Sequence, residues 1–343
     1  MAIRTEKRSH PVVPSSQNLD DVEKLGRAMI RARLLEEKLG SLYRAGRIVG
    51  GVYLGRGQEA LSGAGGVALR KGDVFAPLIR DMAGRLAFGE PMEDALRAYL
   101  GSRLGPMKGR DGNIHRGDLS RGILPMISHL GAMVSTVSGV LMAKRMKKER
   151  GGVGLTCVGD GATSTGSFHE GLNLAAVERL PLVVVVADNG YAYSTPRERQ
   201  FACVDLVDRA KGYGVAGVAV DGTDPIACGE VLHRAVERAR RGEGPQLVVG
   251  TLLRLCGHGE HDDGLYIDST MKSSGRGRDC MQVMGDQMKK MGREKDWLSW
   301  REDAFREVEE AVAKVSAEPV PDPFEEDWWA TQMGSGTEVL GSS

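Results

Sequence analysis

The sequence lacks the features that would cross-link the chain or place it in a membrane. Its 343 residues include five cysteines, an odd number with no CxxC pair, so we expect neither a disulfide framework nor a structural zinc site. No run reaches about 18 apolar residues, so no transmembrane helix is expected. The polar N-terminus has no apolar segment of the kind found in signal peptides. We therefore expect a cytoplasmic protein.

An excess of charge of one sign is also missing. The 46 Lys and Arg residues balance the 46 Asp and Glu residues, which gives a formal net charge of zero. A balanced charge provides no overall attraction to nucleic acid or to anionic membranes, so we expect neither as a partner. Hydrophobic residues make up 41% of the chain, which is enough for a substantial buried core.

Apolar runs that alternate with helical patterns predict the fold class. Runs such as LVVVV and LVVGTL are continuously apolar, as in strands that are covered on both faces. The pattern therefore predicts an α/β fold with a mostly parallel sheet and helices on both faces. Strands are predicted at 153–158, 182–187, 216–220 and 246–253, with an earlier one ending near Arg80. Helices are predicted at 18–44, 90–104, 130–148, 166–179, 204–213 and 225–241.

The two ends of the chain differ from this central part. We expect residues 1–18 to be a flexible arm, 19–270 to form one domain, and 271–343 to be a linker, a helix and a tail. In that helix Phe305, Val308, Val312 and Val315 fall on one face. The tail contains two aromatic residues with no role in the predicted core, Trp328 and Trp329, which suggests that the tail packs on another subunit.

In the central part of the chain, the cationic run KRMKKER at 144–150 is typical of a helix C-terminus.

Polar residues close two successive strands of the predicted sheet. Asp160 lies between glycines after GLTCV, and Asn189 follows LVVVVAD on the next strand. Parallel strands end at one edge of the sheet, where ligands bind in open α/β folds. Carboxylate, amide and carbonyl oxygens suit Mg²⁺ or Ca²⁺, and Mg²⁺ completes its shell with phosphate oxygens. The helix after GDGATSTG offers N–H groups to a phosphate. GDG alone is more typical of a capped turn, but the whole pattern predicts a metal that holds a diphosphate.

This stretch carries a resemblance to a known family. GDG followed at this interval by Asn resembles the motif of thiamine diphosphate enzymes. GDGATSTGSFHEGLNLAAVERLPLVVVVADNGYAYSTP is similar to the alpha subunit of the decarboxylating component of 2-oxo acid dehydrogenase complexes, a group that includes the pyruvate, branched-chain and acetoin enzymes. Further similar segments occur in order over residues 20–325: GRGQEAL, PLIRDMAG, HLGAMVSTVSGVLMAKR, VDGTD and RLCGHGEHDD.

The resemblance implies a ligand set for the metal and the diphosphate. Asp160, Asn189 and the backbone carbonyl of Tyr191 would hold Mg²⁺. Arg80 matches the arginine that pairs with the diphosphate, a role suited to a guanidinium fork.

Five further positions are implied to contact the cofactor. Gly159 and Gly161 allow close approach of the backbone, and Gly161 and Ala162 would offer N–H groups to phosphate. Ser128 matches a backbone contact to the aminopyrimidine. Leu130 matches the aliphatic side chain that supports the bent form of the cofactor.

Four histidines receive different interpretations. His258 matches the catalytic-loop histidine, because it follows Cys256-Gly257 and precedes two aspartates; an imidazole there can contact phosphate or substrate and move protons. His115 matches a family histidine in the Gly-rich loop. His169 is expected to be a packed or hydrogen-bonded helix residue, and His261 a loop contact.

The implied reaction depends on the cofactor and on partners. The cofactor would release carbon dioxide from a small 2-oxo acid and pass the acyl group to a lipoyl arm of an acyltransferase core. The glutamate that activates the aminopyrimidine comes from a beta subunit in this family, and residues 270–343 are too few to contain it. We expect two alpha and two beta chains, with the cofactor between them, and no activity from this chain alone.

Several positions depart from the family pattern. Ile79 stands where a tyrosine usually precedes the arginine, and Met82 where pyruvate-type members have histidine. NGYAYSTP is closer to branched-chain members. Ala132 and Met133 replace residues that bind potassium in some relatives, so no potassium site is expected. Gly259 replaces the serine that is phosphorylated in animal enzymes, which excludes that modification here.

Rival interpretations are a nicotinamide dehydrogenase, a transketolase-type enzyme and a non-catalytic scaffold subunit. GAGGVA fits a dinucleotide fingerprint, but the QEALS before it is helical rather than a strand. Transketolase-type chains carry both cofactor-binding halves, and this chain has one. Intact Asp160, Asn189, Arg80 and His258 oppose a pure scaffold. The substrate stays open among pyruvate, branched-chain 2-oxo acids and acetoin.

Overall fold

A five-stranded parallel sheet organises the protein. The structure, a computed structural model, describes residues 19–110, 115–322 and 324–325. The strand order is β1-β2-β3-β7-β6. The strands are β1 (Val74–Ala76), β2 (Gly154–Gly159), β3 (Leu182–Asp188), β6 (Ala216–Asp221) and β7 (Gln246–Thr251), and a separate antiparallel pair is formed by β4 (Tyr191–Ala192) and β5 (Thr195–Pro196).

Helices cover both faces of this sheet. They are α1 (Leu19–Arg44), α2 (Glu59–Ala68), α3 (Met82–Phe88), α4 (Met92–Leu100), α5 (Ala132–Met146), α6 (Gly166–Val177), α7 (Arg209–Tyr213), α8 (Pro225–Arg240), α9 (Ser269–Ser273), α10 (Cys280–Lys290) and α11 (Glu294–Ser316). Val183 and Val185 point into the core formed with α1, α2 and α8, whereas Val184 and Val186 point into the core formed with α5 and α6. Strand β3 is continuously apolar because both of its faces are buried. The predicted α/β class is confirmed.

Several elements differ from the sequence prediction. Strand β1 ends at Ala76, well before Arg80, because Pro77 has no N–H to continue the ladder. The helix predicted at 204–213 is a 3₁₀ turn at 206–208 followed by the short α7. The short helix α9 lies where the linker was predicted to begin, near residue 271. The sequence pattern does not predict α10.

The C-terminal helices pack on the first helix. Met284, Met288 and Trp300 are buried in the same core as residues of α1. Val308, Val312 and Val315 are buried as predicted, but Phe305 is 57% exposed, so its place on the buried face was wrong. The division of the chain at residue 270 stays a prediction. The arm 1–18, Trp328 and Trp329 lie outside the described residues.

The structure also bears on disulfide bonds and membrane-spanning helices. All five cysteines are free in the structure. Within the described ranges, no helix combines the length and the apolar character needed to cross a bilayer.

Candidate cofactor site at the carboxyl edge of the sheet

Four of the predicted site residues follow the carboxyl ends of neighbouring strands. Asp160 directly follows β2 and Asn189 directly follows β3. Arg80 lies in the turn between β1 and α3, and His258 lies in the loop after β7. These strands are parallel, so the four residues share the edge of the sheet at which ligands bind in such folds.

Asp160 and Asn189 lie on adjacent strand ends. Gly159 pairs with Ala187 in the ladder, and the Asp160 N–H donates to the Ala187 carbonyl at 3.2 Å. The Asn189 amide donates through Nδ2 to Oε1 of Gln58 at 3.2 Å. Its Oδ1 accepts from the Tyr191 N–H at 3.2 Å. The structure therefore brings together all three residues predicted to hold a metal, at the adjacent carboxyl ends of β2 and β3.

The carboxylate of Asp160 is in an environment that favours a bound cation. It is 1% exposed, and burial raises its pKa to about 6, with a further contribution from the charge of Asp188. Asp188 is paired through Oδ2 with Arg276 at 3.1 Å, but its buried Oδ1 has no partner among the described residues. The buried Oε1 of Gln200 also lacks a hydrogen-bond partner among the described residues, and Nε2 of the same amide lies 3.4 Å from Asp160 Oδ2. Unsatisfied buried oxygens beside a carboxylate fit Mg²⁺.

Two buried guanidinium groups lie side by side near this turn. Arg80 donates to the carbonyls of Leu54, at 3.0 Å, and His258. Arg254 donates to the carbonyls of Cys256 and Tyr193, at 3.1 and 3.0 Å. Neither forms an ion pair with a carboxylate among the described residues. Burial, together with the charge of Arg254, lowers the pKa of Arg80 to about 10. Two unpaired, buried cations fit an anionic ligand such as a diphosphate.

The surroundings of His258 favour its neutral form. Burial, together with the charges of Arg80 and Arg254, lowers its pKa to about 4. Its Nδ1 lies 3.1 Å from Nη2 of Arg80. A guanidinium can only donate, so Nδ1 accepts and the proton lies on Nε2. The ring stacks obliquely on Tyr193, with centroids 4.3 Å apart.

The loop that carries His258 is fixed by Asp262. This carboxylate accepts from the N–H groups of His258 and Gly264 and from the hydroxyl of Tyr266. Burial raises the pKa of Asp262, but these hydrogen bonds outweigh it and lower the pKa to about 2. The loop is therefore held by an ionised carboxylate over the whole physiological pH range.

The glycines of the GDG turn have different roles. Gly159 is the last residue of β2. A Cβ on Gly161 would lie 2.4 Å from Cβ of Ala192, so only glycine fits beneath the β4–β5 hairpin. The Gly161 N–H donates to Asp160 Oδ1 at 2.9 Å, so it is already used in the absence of a phosphate. Ala162 is buried in the same turn.

Ser128 and Leu130 lie on the other side of this turn. The Leu130 carbonyl accepts from Thr165 Oγ1 at 3.2 Å, which connects the segment before α5 to the turn before α6. Ser128 Oγ lies 3.1 Å from Nε2 of His115. The Leu130 side chain is 56% exposed.

Comparison of the sequence with protein-family models shows the family to which this chain belongs. The model of the family described as "Dehydrogenase E1 component" matches residues 27–324. The chain belongs to this family. The predicted relation to alpha subunits of thiamine diphosphate-dependent 2-oxo acid dehydrogenases is therefore confirmed, and so is the predicted enzyme class.

Relatives of this E1 chain carry different names. It is 35% identical over 303 residues to the alpha subunit of acetoin:2,6-dichlorophenolindophenol oxidoreductase of Cupriavidus necator, covering 87% of this chain and 90% of that protein. It is 38% identical over 239 residues to the 2-oxoisovalerate dehydrogenase subunit alpha of Bacillus subtilis, covering 69% and 72%. It is 33% identical over 305 residues to the pyruvate dehydrogenase E1 component subunit alpha of Bacillus subtilis, covering 88% and 79%.

Other predicted positions of the E1 chain take structural roles. Met82 is buried, and its sulfur accepts from Arg116 at 3.6 Å. His169 contacts the hydroxyl of Tyr213, which agrees with its interpretation as a hydrogen-bonded helix residue. His261 has its ring centroid 6.4 Å from that of Tyr53.

Residues that sequence reasoning missed complete the site of this E1 chain. Arg254, Gln58 and Gln200 were not predicted as site residues, although GRGQEAL and RLCGHGEHDD were both noted as segments. In the described part of the chain no three His, Cys, Asp or Glu side chains cluster as metal ligands. A metal here would therefore depend on amide and carbonyl oxygens beside Asp160.

Proposed function

We propose that this chain and a beta subunit together decarboxylate a 2-oxo acid on thiamine diphosphate and pass the acyl group to a lipoyl arm of an acyltransferase core. The observation that carries the proposal is the pair of buried guanidiniums of Arg80 and Arg254, which form no ion pair with a carboxylate of any described residue. The charge of Arg254 also acts on the buried carboxylate of Asp160. A diphosphate with its metal satisfies both charges together.

Each end of the diphosphate site has its own residues. Asp160, Asn189 and the Tyr191 carbonyl hold Mg²⁺. Arg80, assisted by Arg254, pairs with the diphosphate. When bound, thiamine diphosphate supplies the carbanion chemistry that releases carbon dioxide from a 2-oxo acid.

His258 acts as a neutral hydrogen-bond donor. Its Nδ1 is fixed by Arg80, so Nε2–H is the group available to the substrate carboxylate or to a phosphate. Because this histidine is not charged, it can donate a hydrogen bond without adding a third cation to the two arginines.

A beta subunit covers the carboxyl edge in this proposal. The loops around the site expose apolar side chains that no described residue covers: Ile127, Leu130, Val204 and Leu265. Such a rim is typical of an interface. The group that activates the aminopyrimidine comes from that partner, in an assembly of two alpha and two beta chains.

The substrate is pyruvate or a branched-chain 2-oxo acid. Acetoin is the second candidate, because a relative that covers most of this chain is named as an acetoin oxidoreductase subunit. A scaffold role is disfavoured because the charged groups of the site are intact.

Co-expression with the beta subunit tests the proposal. Decarboxylation of pyruvate and of branched-chain 2-oxo acids, and cleavage of acetoin, would be measured with and without Mg²⁺ and thiamine diphosphate. We expect turnover of one substrate class that requires both chains and both cofactors. Full activity of this chain alone would contradict the two-chain site, and an inactive assembly that binds cofactor would support the scaffold alternative.

A further inference from the structure

A cleft lies at the edge of the sheet opposite to the cofactor site, where β1, β2 and β3 begin. Its volume is about 430 Å³, within the range of about 300–1,000 Å³ for small-molecule sites. Leu141, Leu180 and Pro181 form the apolar part of its wall. The six residues of β2 separate it from Asp160 by about 20 Å, so a ligand here would leave the cofactor site free.

Cations dominate the lining of this cleft. They are Arg70, Lys71, Lys144, Arg145, Arg150 and Arg179. The two carboxylates that also line it are already neutralised. Asp73 pairs with Arg240, which is outside the lining, at 2.8 Å. Glu149 pairs with Lys144 at 3.1 Å. The cleft therefore keeps a net positive charge.

Four of these cations have no anionic partner. Arg70, Lys71 and Arg150 are exposed, and their side chains form no ion pair or hydrogen bond with any described residue. Arg179 reaches only the carbonyl of Gly242, at 3.5 Å. Like charges so close together cost free energy unless a counter-ion is present.

Backbone donors add to this lining. Gly151 adopts φ +80°, and only Val153 separates the pair Gly151 and Gly152 from the start of β2. Within the described ranges the N–H groups of both glycines lack a hydrogen-bond acceptor. Successive free N–H groups in such a turn form a concave site for anions.

We propose that this cleft binds a phosphorylated small molecule of nucleotide size. Four unpaired cations call for a ligand with several negative charges, and guanidinium groups bind phosphate oxygens in pairs. The apolar wall would contact the part of the ligand that carries no phosphate. This inference does not rest on the proposed function, since it concerns other residues at the other edge of the sheet.

Calorimetric titration of the full chain with adenosine triphosphate and with pyrophosphate, in chelator and without Mg²⁺ so that the carboxyl-edge site is not loaded, tests the proposal. Four chains are compared: wild type, Arg70→Gln/Arg150→Gln, the control Lys147→Gln/Lys148→Gln, and Asp160→Asn. The control removes the same charge from exposed lysines of the same segment that do not line the cleft. We expect the arginine pair to weaken binding about tenfold or more, which corresponds to about 1.4 kcal/mol.

The expected pattern is binding by wild type, unchanged binding by the control and by Asp160→Asn, and weakened binding by the arginine pair. Equal weakening by both double variants would show a general attraction of anions and overturn the proposal. Loss of binding in Asp160→Asn would place the ligand at the carboxyl edge and also overturn it. The proposal would also be overturned if wild type bound neither adenosine triphosphate nor pyrophosphate at low ionic strength.

Discussion

At the scale of single residues, Arg80 and Arg254 differ from the other buried arginines in their partners. Arg33 binds Glu59 at 2.6 Å and Asp279 at 2.9 Å. The guanidinium of Arg80 instead meets backbone carbonyls, a histidine and a second guanidinium. Since an unpaired buried cation is costly, its retention indicates that a ligand supplies the missing anion.

This difference predicts that two similar substitutions change the stability of the free chain by different amounts. Arg33→Gln leaves two carboxylates unpaired and should lower the free energy of unfolding by about 3 kcal/mol. Arg80→Gln removes an uncompensated charge and should cost under about 1 kcal/mol in the free chain, while weakening cofactor binding about tenfold or more. Urea unfolding and cofactor titration measure the two quantities. Equal losses of stability in both variants would contradict this account of Arg80.

Asp160 should destabilise the free chain at neutral pH. Its pKa is about 6 in the folded state, above the ordinary value of 3.8. The folded state thus holds the proton more tightly, and stability falls as pH rises from about 4 to 6, with the full cost present above 6. Asp160→Asn should raise the free energy of unfolding above pH 6, by at most about 3 kcal/mol, and change nothing below about pH 4. A variant that is less stable at pH 7 would refute this.

Site residues could be predicted from the sequence where their position follows from the strand and turn pattern around them. Asp160 and Asn189 each directly follow a strand, so the parallel pairing of these strands alone makes them neighbours. Arg254, Gln58 and Gln200 could not be placed in the same way, because their contacts with the site cross long loops. The lowered pKa of His258 was equally out of reach, since it depends on burial and on two arginines from different loops.

At the scale of elements, α10 shows where periodicity was insufficient. Its sequence CMQVMGDQMKK is rich in methionine and contains Gly285, so it lacks a strong apolar stripe of leucine or valine. Tertiary packing decides its structure, because Cys280, Met284 and Met288 are all fully buried against the core.

Removal of one side chain from α10 should destabilise the whole core. Met288→Ala should lower the free energy of unfolding by about 2–5 kcal/mol, because it leaves a cavity at a fully buried position. The exposed neighbour Lys289→Ala is the control and should change stability by less than about 0.5 kcal/mol. Urea unfolding measures both. If Met288→Ala has no effect, α10 does not belong to the cooperative unit.

At the scale of the whole molecule, the charged site and the exposed apolar rim lie on one side of the sheet. A partner that covers the rim would exclude water from the arginines and strengthen their interaction with an anion. Addition of the beta subunit should therefore slow amide hydrogen exchange in the loops 124–131, 197–204 and 258–268, and leave α10 unchanged. Protection restricted to α10 and α11 would contradict this placement of the partner.

The most direct test is titration of the assembled alpha and beta chains with thiamine diphosphate, in Mg²⁺ and in chelator. For wild type we predict tight binding that requires Mg²⁺. For Asp160→Asn we predict binding weakened about a hundredfold, or about 2.7 kcal/mol, whereas Glu170→Gln on the exposed face of α6 should bind like wild type. Binding by Asp160→Asn as tight as that of wild type, or wild-type binding that is unaffected by chelator, would contradict the assignment of the carboxyl edge as the metal–diphosphate site.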